Sequence, residues 1–235
     1  MTRGLFITGT GTGVGKTYVG TLIANALCSA GKRVGVYKPA ASGCEMRDGQ
    51  LVCNDAVALW EAAGRPGTLA QVCPQSFAAP LAPHLAARAV GQRVDAGLLR
   101  SGLEFWRETS DFVLVEGAGG LMSPLSDDDY NADLAAEFGY PLIVVSVNVL
   151  GTINATLQTL ITASTCCDGL EVAGIVLNSP QAGQIDVSTE SNRDELMRRC
   201  VAPVLAAVDF GGAFDRDVDW WELAGSKEQG AGSGK

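Results

Sequence analysis

The chain of 235 residues sets 17 lysines and arginines against 26 aspartates and glutamates, a formal net charge of −9 at pH 7, which argues against a nucleic-acid partner because polyphosphate attracts basic surfaces. Hydrophobic residues make up 47% of it, enough for one full core in a globular enzyme, yet no apolar run is long and unbroken enough to span a bilayer. The 7 cysteines include no Cys-x-x-Cys pair and there is 1 histidine, so thiols in a reducing cytoplasm are expected rather than a zinc site or a disulfide framework.

In chain order, residues 5–8 form a first apolar strand, which starts too near the N-terminus to leave room for a signal peptide. The glycine-rich stretch 9–17 follows, then a helical pattern over 18–30 that Gly31-Lys32 brings to an end. A second strand is expected over 33–37, with Lys38 and Pro39-Ala40-Ala41-Ser42-Gly43 after it. Residues 54–63 read as a helix, His84 lies in a Pro-rich loop before an apolar helix, and 94–109 contains another. The uninterrupted apolar runs 112–115, 142–147 and 172–177 have the character of buried parallel strands. Helices are expected from about Thr152 and over 189–200. Trp60, Trp106, Trp220 and Trp221 are read as packing residues. The alternation predicts a doubly wound α/β fold with a mostly parallel sheet between helices, over 1–224, and a disordered tail at 225–235.

The stretch Gly9-Thr10-Gly11-Thr12-Gly13-Val14-Gly15-Lys16-Thr17 sits where a phosphate loop needs to be, between a strand and a helix. Its backbone N–H groups would surround phosphates, Lys16 would reach the β and γ oxygens, and the Thr17 hydroxyl would bind Mg²⁺. It is a variant, with Thr10 where the strict pattern has glycine and the glycine one residue earlier. A glycine-rich hairpin or a dinucleotide turn is the competing reading, and the order of strand, Gly-Lys-Thr and helix weighs against both. In such a sheet ligands bind at the carboxyl ends of the strands. Those ends deliver Lys38, Glu116 followed by Gly117-Ala118-Gly119-Gly120, and Asn178. An acid after an apolar strand is where these proteins orient Mg²⁺ or its water. Asp55 opens a predicted helix, so it is either a cap or first-turn acid or a metal ligand. Lys38 is the unusual addition. A second lysine beside a triphosphate suggests charge developing on something besides the γ-phosphate, such as a carbamate, carboxylate or acyl phosphate; otherwise it is a solvated surface lysine. No Ser/His/Asp constellation accompanies His84, which is read as a packed or hydrogen-bonded loop residue.

Together, Thr8-Gly9-Thr10, Val14-Gly15-Lys16-Thr17, Tyr37-Lys38-Pro39, Ser42-Gly43, Asn54-Asp55, Phe77, Pro80, Pro83-His84 and Val115-Glu116-Gly117-Ala118-Gly119-Gly120 resemble the dethiobiotin synthetases. Gly151, Asn154 and Asn178 extend the likeness, which covers about residues 1 to 180 in family order. The resemblance implies a cytoplasmic homodimer that makes dethiobiotin, in biotin biosynthesis, from 7,8-diaminononanoate, CO₂ (or bicarbonate) and ATP with Mg²⁺. It assigns catalysis to Lys38 and Lys16, and the metal to Thr17, Asp55 and Glu116. The nucleotide would lie along Gly13, Val14, Gly15, Lys16, Thr17 and Tyr18, with Asp55, Glu116, Gly117, Ala118 and Gly119, and Asn178 and Ser179 at the base. Thr12 and Ser42 would position the diamine or carbamate. The helix start at Gly151, Thr152 and Asn154 would take the substrate carboxylate, across the dimer interface.

Departures from the family pattern are equally specific. Gly11 and Gly13 stand where many members carry acids, Val149 and Ala155 replace a basic residue and a histidine, and 205–209 reads Leu-Ala-Ala-Val-Asp in the expected C-terminal nucleotide loop. A partitioning or septum-site ATPase would carry a signature lysine five residues before Lys16, where this chain has Gly11. A cobyrinic-acid-type amide synthase would need a glutamine-hydrolysing domain for which the length leaves no space. A homologue that binds nucleotide without ligase activity is the remaining alternative.

Overall fold

A computed structural model describes residues 2–182 and 186–225; most of the tail expected to be disordered, 226–235, lies outside them. In chain order the elements are β1 (Arg3–Gly9), α1 (Lys16–Ser29), β2 (Val34–Tyr37), β3 (Glu45–Arg47), β4 (Gln50–Val52), α2 (Asn54–Ala62), α3 (Leu69–Val72), α4 (Pro83–Arg88), α5 (Ala96–Thr109), β5 (Phe112–Glu116), α6 (Asn131–Phe138), β6 (Leu142–Val147), α7 (Thr152–Thr165), β7 (Val172–Asn178), α8 (Thr189–Arg199), β8 (Val204–Val208) and α9 (Trp220–Leu223). Six of the strands make one sheet in the order β2-β5-β1-β6-β7-β8, every pairing parallel. The fold class expected from the alternation is the one observed.

The sheet is parallel because its strands are apolar on both faces and need covering on both. β2 and β5 are buried throughout, and β1 and β6 at all but one position each. Phe6, Tyr37, Trp106 and Phe112 are among the largest fully buried side chains of the core. Trp106 and Trp220 pack there as expected, and the half-buried Trp60 and Trp221 pack against it, Trp221 beneath the Lys32 ammonium 4.0 Å from its ring centre. The Tyr37 hydroxyl, deep in the core, donates to the carbonyls of Leu98 and Leu99, so α5 is tied to β2 by a satisfied polar atom.

Several elements depart from expectation. Most of the expected loop 205–209 belongs instead to the edge strand β8, Val204–Val208, paired with β7 from Ile175↔Val204 to Asn178↔Val208. The hairpin β3–β4, the short α3 with its Thr68–Gln71 capping box, and α6 were not anticipated. His84 lies inside the short helix α4 rather than in the loop before a helix, and its Nδ1 is buried without a hydrogen-bond partner. No helix among the described residues is long and apolar enough to cross a membrane.

Candidate functional site

At the carboxyl ends of β1, β2 and β5, a hollow of about 310 Å³ opens between the starts of α1 and α2. The chain passes from β1 to α1 through Gly15, at φ 91°, a left-handed conformation at ease only in glycine. A Cβ there would lie 2.0 Å from the Asn178 amide nitrogen, so a side chain is excluded twice over. The amide of Asn178 donates to the Val14 carbonyl at 2.9 Å and braces the loop from β7. Asn178 is 2% exposed.

Four charged groups meet in the hollow. Lys16 donates from Nζ to the Gly11 carbonyl at 3.1 Å, so the loop folds over its own lysine. Burial pushes the Lys16 pKa down, against the pull of Glu116. Lys38 is 4% exposed, which rules out the solvated-surface reading of that residue. Its Nζ lies 2.5 Å from Glu116 Oε1 and 3.4 Å from Asp55 Oδ2. Burial alone would lower its pKa, but the two acids outweigh burial and raise it, so Lys38 stays an ammonium. Glu116 Oε1 also accepts from the Thr17 hydroxyl at 3.0 Å, while its Oε2 is buried without a hydrogen-bond partner.

Asp55 is the first-turn acid of α2 and not its cap. The cap is Cys53, whose Sγ accepts from the Ala56 N–H. The oxygens of Thr17, Asp55 and Glu116 are hard donors of the kind a divalent cation prefers. Among the described residues no group of three or more His, Cys, Asp or Glu could hold a metal by itself.

The structure brings Thr12, Gly13, Gly15, Lys16, Thr17, Lys38, Ser42, Asp55, Glu116, Ala118 and Gly119 to this one hollow. A second hollow of about 290 Å³ adjoins it through Thr12 and runs along Met122, Ala155 and Thr159. Other anticipated residues lie elsewhere. Tyr18 donates its hydroxyl to the Gly212 carbonyl at 2.8 Å. Ser179 borders a third hollow of about 610 Å³, with Asn148, Asp209 and Phe210, past the ends of β7 and β8. Gly151 and Asn154 are exposed at the start of α7, and Thr152 is buried there.

Two organising residues escaped sequence reasoning. Asn131 is fully buried; its amide donates to the carbonyls of Ala118, Gly120 and Ser123, and its oxygen accepts from the Ala118 N–H, fixing the 117–120 loop. Ser146 joins Thr152 at 2.7 Å, Thr156 at 2.9 Å and, more loosely, Thr10 of the phosphate loop at 3.4 Å. A polar residue inside an otherwise apolar strand is the one signal that pointed to Ser146. For Asn131 the signal was an asparagine shortly after a run of three aspartates, which reads as a turn.

A family model described as an AAA domain matches residues 3–215. The chain is 43% identical to the ATP-dependent dethiobiotin synthetase BioD of Rhodopirellula baltica over 214 residues, 86% of this chain and 82% of that one. It is 42% identical to the protein of the same description from Anaeromyxobacter dehalogenans, over 83% of this chain and 85% of that one. Among solved structures, cobyrinic acid a,c-diamide synthase from Mycobacterium smegmatis superposes with a TM-score of 0.51 at 17% identity, over 88% of this chain and 86% of that one. The septum site-determining protein MinD from Pyrococcus horikoshii does so with a TM-score of 0.50 at 18% identity, over 89% and 82%. These two likenesses concern the fold, a P-loop one.

Proposed function

The chain belongs to the family of ATP-dependent dethiobiotin synthetases, and from that premise we propose that it joins CO₂ to 7,8-diaminononanoate at the expense of ATP, giving dethiobiotin, ADP and phosphate. It is thereby a ligase of biotin biosynthesis. The observation that carries the reading is Lys38, a buried ammonium held by two acids in the same hollow as the phosphate-loop lysine. A nucleotide hydrolase has no use for it. A reaction that builds a second anion beside the γ-phosphate does.

One amine of the substrate attacks CO₂, forms the C–N bond and loses a proton, leaving a carbamate. Lys38 would bind that anion together with Lys16, which would also reach the phosphates. A carbamate oxygen then attacks the γ-phosphorus in line, the bond to the β-phosphate oxygen breaks, and ADP leaves. The second amine attacks the carbamoyl carbon, expels phosphate and closes the ureido ring. Thr12 and Ser42 would orient the diamine, whose aliphatic chain suits the adjoining hollow past Thr12 and Met122. Mg²⁺ fits the oxygen donors of Thr17, Asp55 and Glu116, the buried Glu116 Oε2 above all, and when bound it neutralises charge on the phosphate oxygens. Adenine would lie in the hollow bordered by Ser179 and Asp209, while the Asn178 carboxamide, expected at the base, is spent instead on the Val14 carbonyl of the loop. Gly13 offers no side chain to the diamine where other members carry an acid, so in this chain the ammonium must be met by backbone carbonyls or by water.

The exposed start of α7 would serve a second subunit's site, taking the substrate carboxylate at its N–H groups, in a cytoplasmic homodimer. The test is a mass-spectrometric assay with 7,8-diaminononanoate, ¹³C-bicarbonate and MgATP. Labelled dethiobiotin with matching ADP is the expected result. ADP without dethiobiotin would overturn the ligase reading in favour of an ATPase switch.

A further inference from the structure

Cys44, Cys53 and Cys73 gather in the core beside Lys38, 6%, 6% and 7% exposed. Cys44 enters β3 and Cys53 leaves β4. Because Glu45 pairs with Val52 in this antiparallel hairpin, the next position outward sets Cys44 opposite Cys53. Opposed residues at such a position have Cα atoms about 4.5 or 5.5 Å apart, within the about 4.4–6.8 Å that a disulfide spans. The Cys44 and Cys53 thiols are neighbours. Cys73 is the third thiol of the group, and its Sγ is engaged with the Gln75 carbonyl at 3.7 Å and the Ser76 hydroxyl at 3.5 Å.

We propose that Cys44 and Cys53 are a site of reversible peroxide oxidation, whose cross-strand disulfide disables the neighbouring Lys38–Asp55 pair. Cys53 is the cap of α2, its Sγ accepting from the Ala56 N–H at 3.5 Å. A sulfur bonded to Cys44 turns away from that N–H and the cap is lost. Asp55, two residues on and 3.4 Å from Lys38, moves with the loosened first turn. The hairpin is coupled to the same turn by Arg47, which donates to Asn54 Oδ1 at 2.5 Å. Its residues 45–50 are exposed, and a two-stranded ribbon opens readily, which admits a small oxidant to the buried sulfurs.

In the first step the Cys53 sulfur attacks one peroxide oxygen and the O–O bond breaks. The departing oxygen takes the thiol proton as water, leaving a sulfenic acid. The Cys44 sulfur then attacks the sulfenic sulfur, the S–O bond breaks, and the hydroxide leaves as water with the Cys44 proton. Two thiols lose two electrons and the peroxide is reduced to two waters. The effect on turnover rests on the ligase reading above; formation of the disulfide does not.

The experiment treats the whole protein with hydrogen peroxide, alkylates the remaining thiols and maps peptides without reduction. A peptide pair joined through Cys44 and Cys53 is expected, with dethiobiotin formation falling in proportion to the cross-linked fraction and returning with dithiothreitol. Cys44→Ser should keep basal turnover, form no cross-link and lose the dithiothreitol-reversible part of the inactivation, with Cys44→Ala as the second variant should serine disturb folding. A Cys53–Cys73 link, a Cys53 sulfinic acid with Cys44 still free, or full turnover in cross-linked protein would each overturn the proposal. The peptide map reads the thiols whether or not the chain makes dethiobiotin, so its failure is distinct from failure of the ligase reading.

Discussion

The two halves of the sheet end in different chemistry. Beyond β2, β5 and β1 lie two lysines and two acids, with Lys38 and Glu116 almost wholly buried. Beyond β6, β7 and β8 the buried groups are neutral: Ser146, Thr152, Thr156, Asn178 and Asn192. Neutral hydroxyls and amides satisfy one another at little cost, and they fix shape. Buried charges cost several kcal/mol each unless paired, about 3–5 kcal/mol when one partner is lost. A fold carries such a cluster where charge must be moved, and the neutral half holds the loop that delivers it. Asn178 to Val14 and Ser146 to Thr10 are among the side-chain contacts that join the halves.

The sharpest way to break this contrast is at Lys38. Lys38→Leu should lower turnover by about a hundredfold to a thousandfold, the range for removing a donor that stabilises developing charge. ATP affinity should change by less than about tenfold, because the phosphates are held chiefly by the loop N–H groups and Lys16. Steady-state kinetics with calorimetric titration of ATP would check both. Equal losses in turnover and affinity would mean that Lys38 is part of the phosphate grip. A thermal melt should also fall, since Glu116 is left buried and unpaired.

The opposite signature is expected in the neutral half. Asn178→Ala strips the Val14 carbonyl of its buried partner, a cost of about 1–3 kcal/mol, and slackens the loop without touching a charge. The KM for ATP should rise about tenfold with kcat altered much less. A fall in kcat alone, at unchanged KM, would erase the distinction between the halves.

This division was only half legible in the sequence. Strand, loop and helix around Lys16, and the apolar runs of β5, β6 and β7, carry strong local signals, so the parallel sheet and the charged corner could be read from them. Lys38 could be named but not located, because spacing does not say whether a lysine at a strand end is buried. In the neutral half Thr152 and Asn178 could be named, but Ser146, Thr156 and Asn192 could not. Asn131 and Ser146 act through contacts that distant segments supply, and a lone asparagine or serine carries no periodicity. Residues 204–208 were missed as β8 because a short Ala-rich edge strand has a weak β signal. The β3–β4 hairpin turns through Asp48 and Gly49, both at positive φ, and that Asp-Gly pair is a hairpin signal present in the sequence. Its strands are three residues each, β3 exposed and β4 half-buried at Leu51 and Val52, and too short to show the alternation that marks a half-buried pair.

The smallest expected effect tests whether charge in the second half is confined to its rim. Asp215 accepts from the Ala207 N–H of β8 at 2.7 Å and from Arg193 of α8 at 2.5 Å, tying the edge strand to its helix. The hydrogen bond from Arg193, and then that from Ala207, hold its carboxyl at about 2, from an ordinary 3.8, against the opposing cost of partial burial. A carboxyl whose folded value is depressed binds fewer protons in the folded chain. Its contribution is therefore complete above about pH 4 and drains away as the pH falls toward about 2. The side chain is 36% exposed, so screening leaves it worth about 1 kcal/mol rather than the full shift. Urea unfolding should find Asp215→Asn less stable than the parent by about that amount at pH 7, with the two curves converging toward about pH 2, since asparagine keeps an acceptor for Ala207 but loses the charge that Arg193 holds. A gap that stays constant or widens on acidification would show that the rim is held by packing, and that the neutral half owes nothing to charge even at its edge.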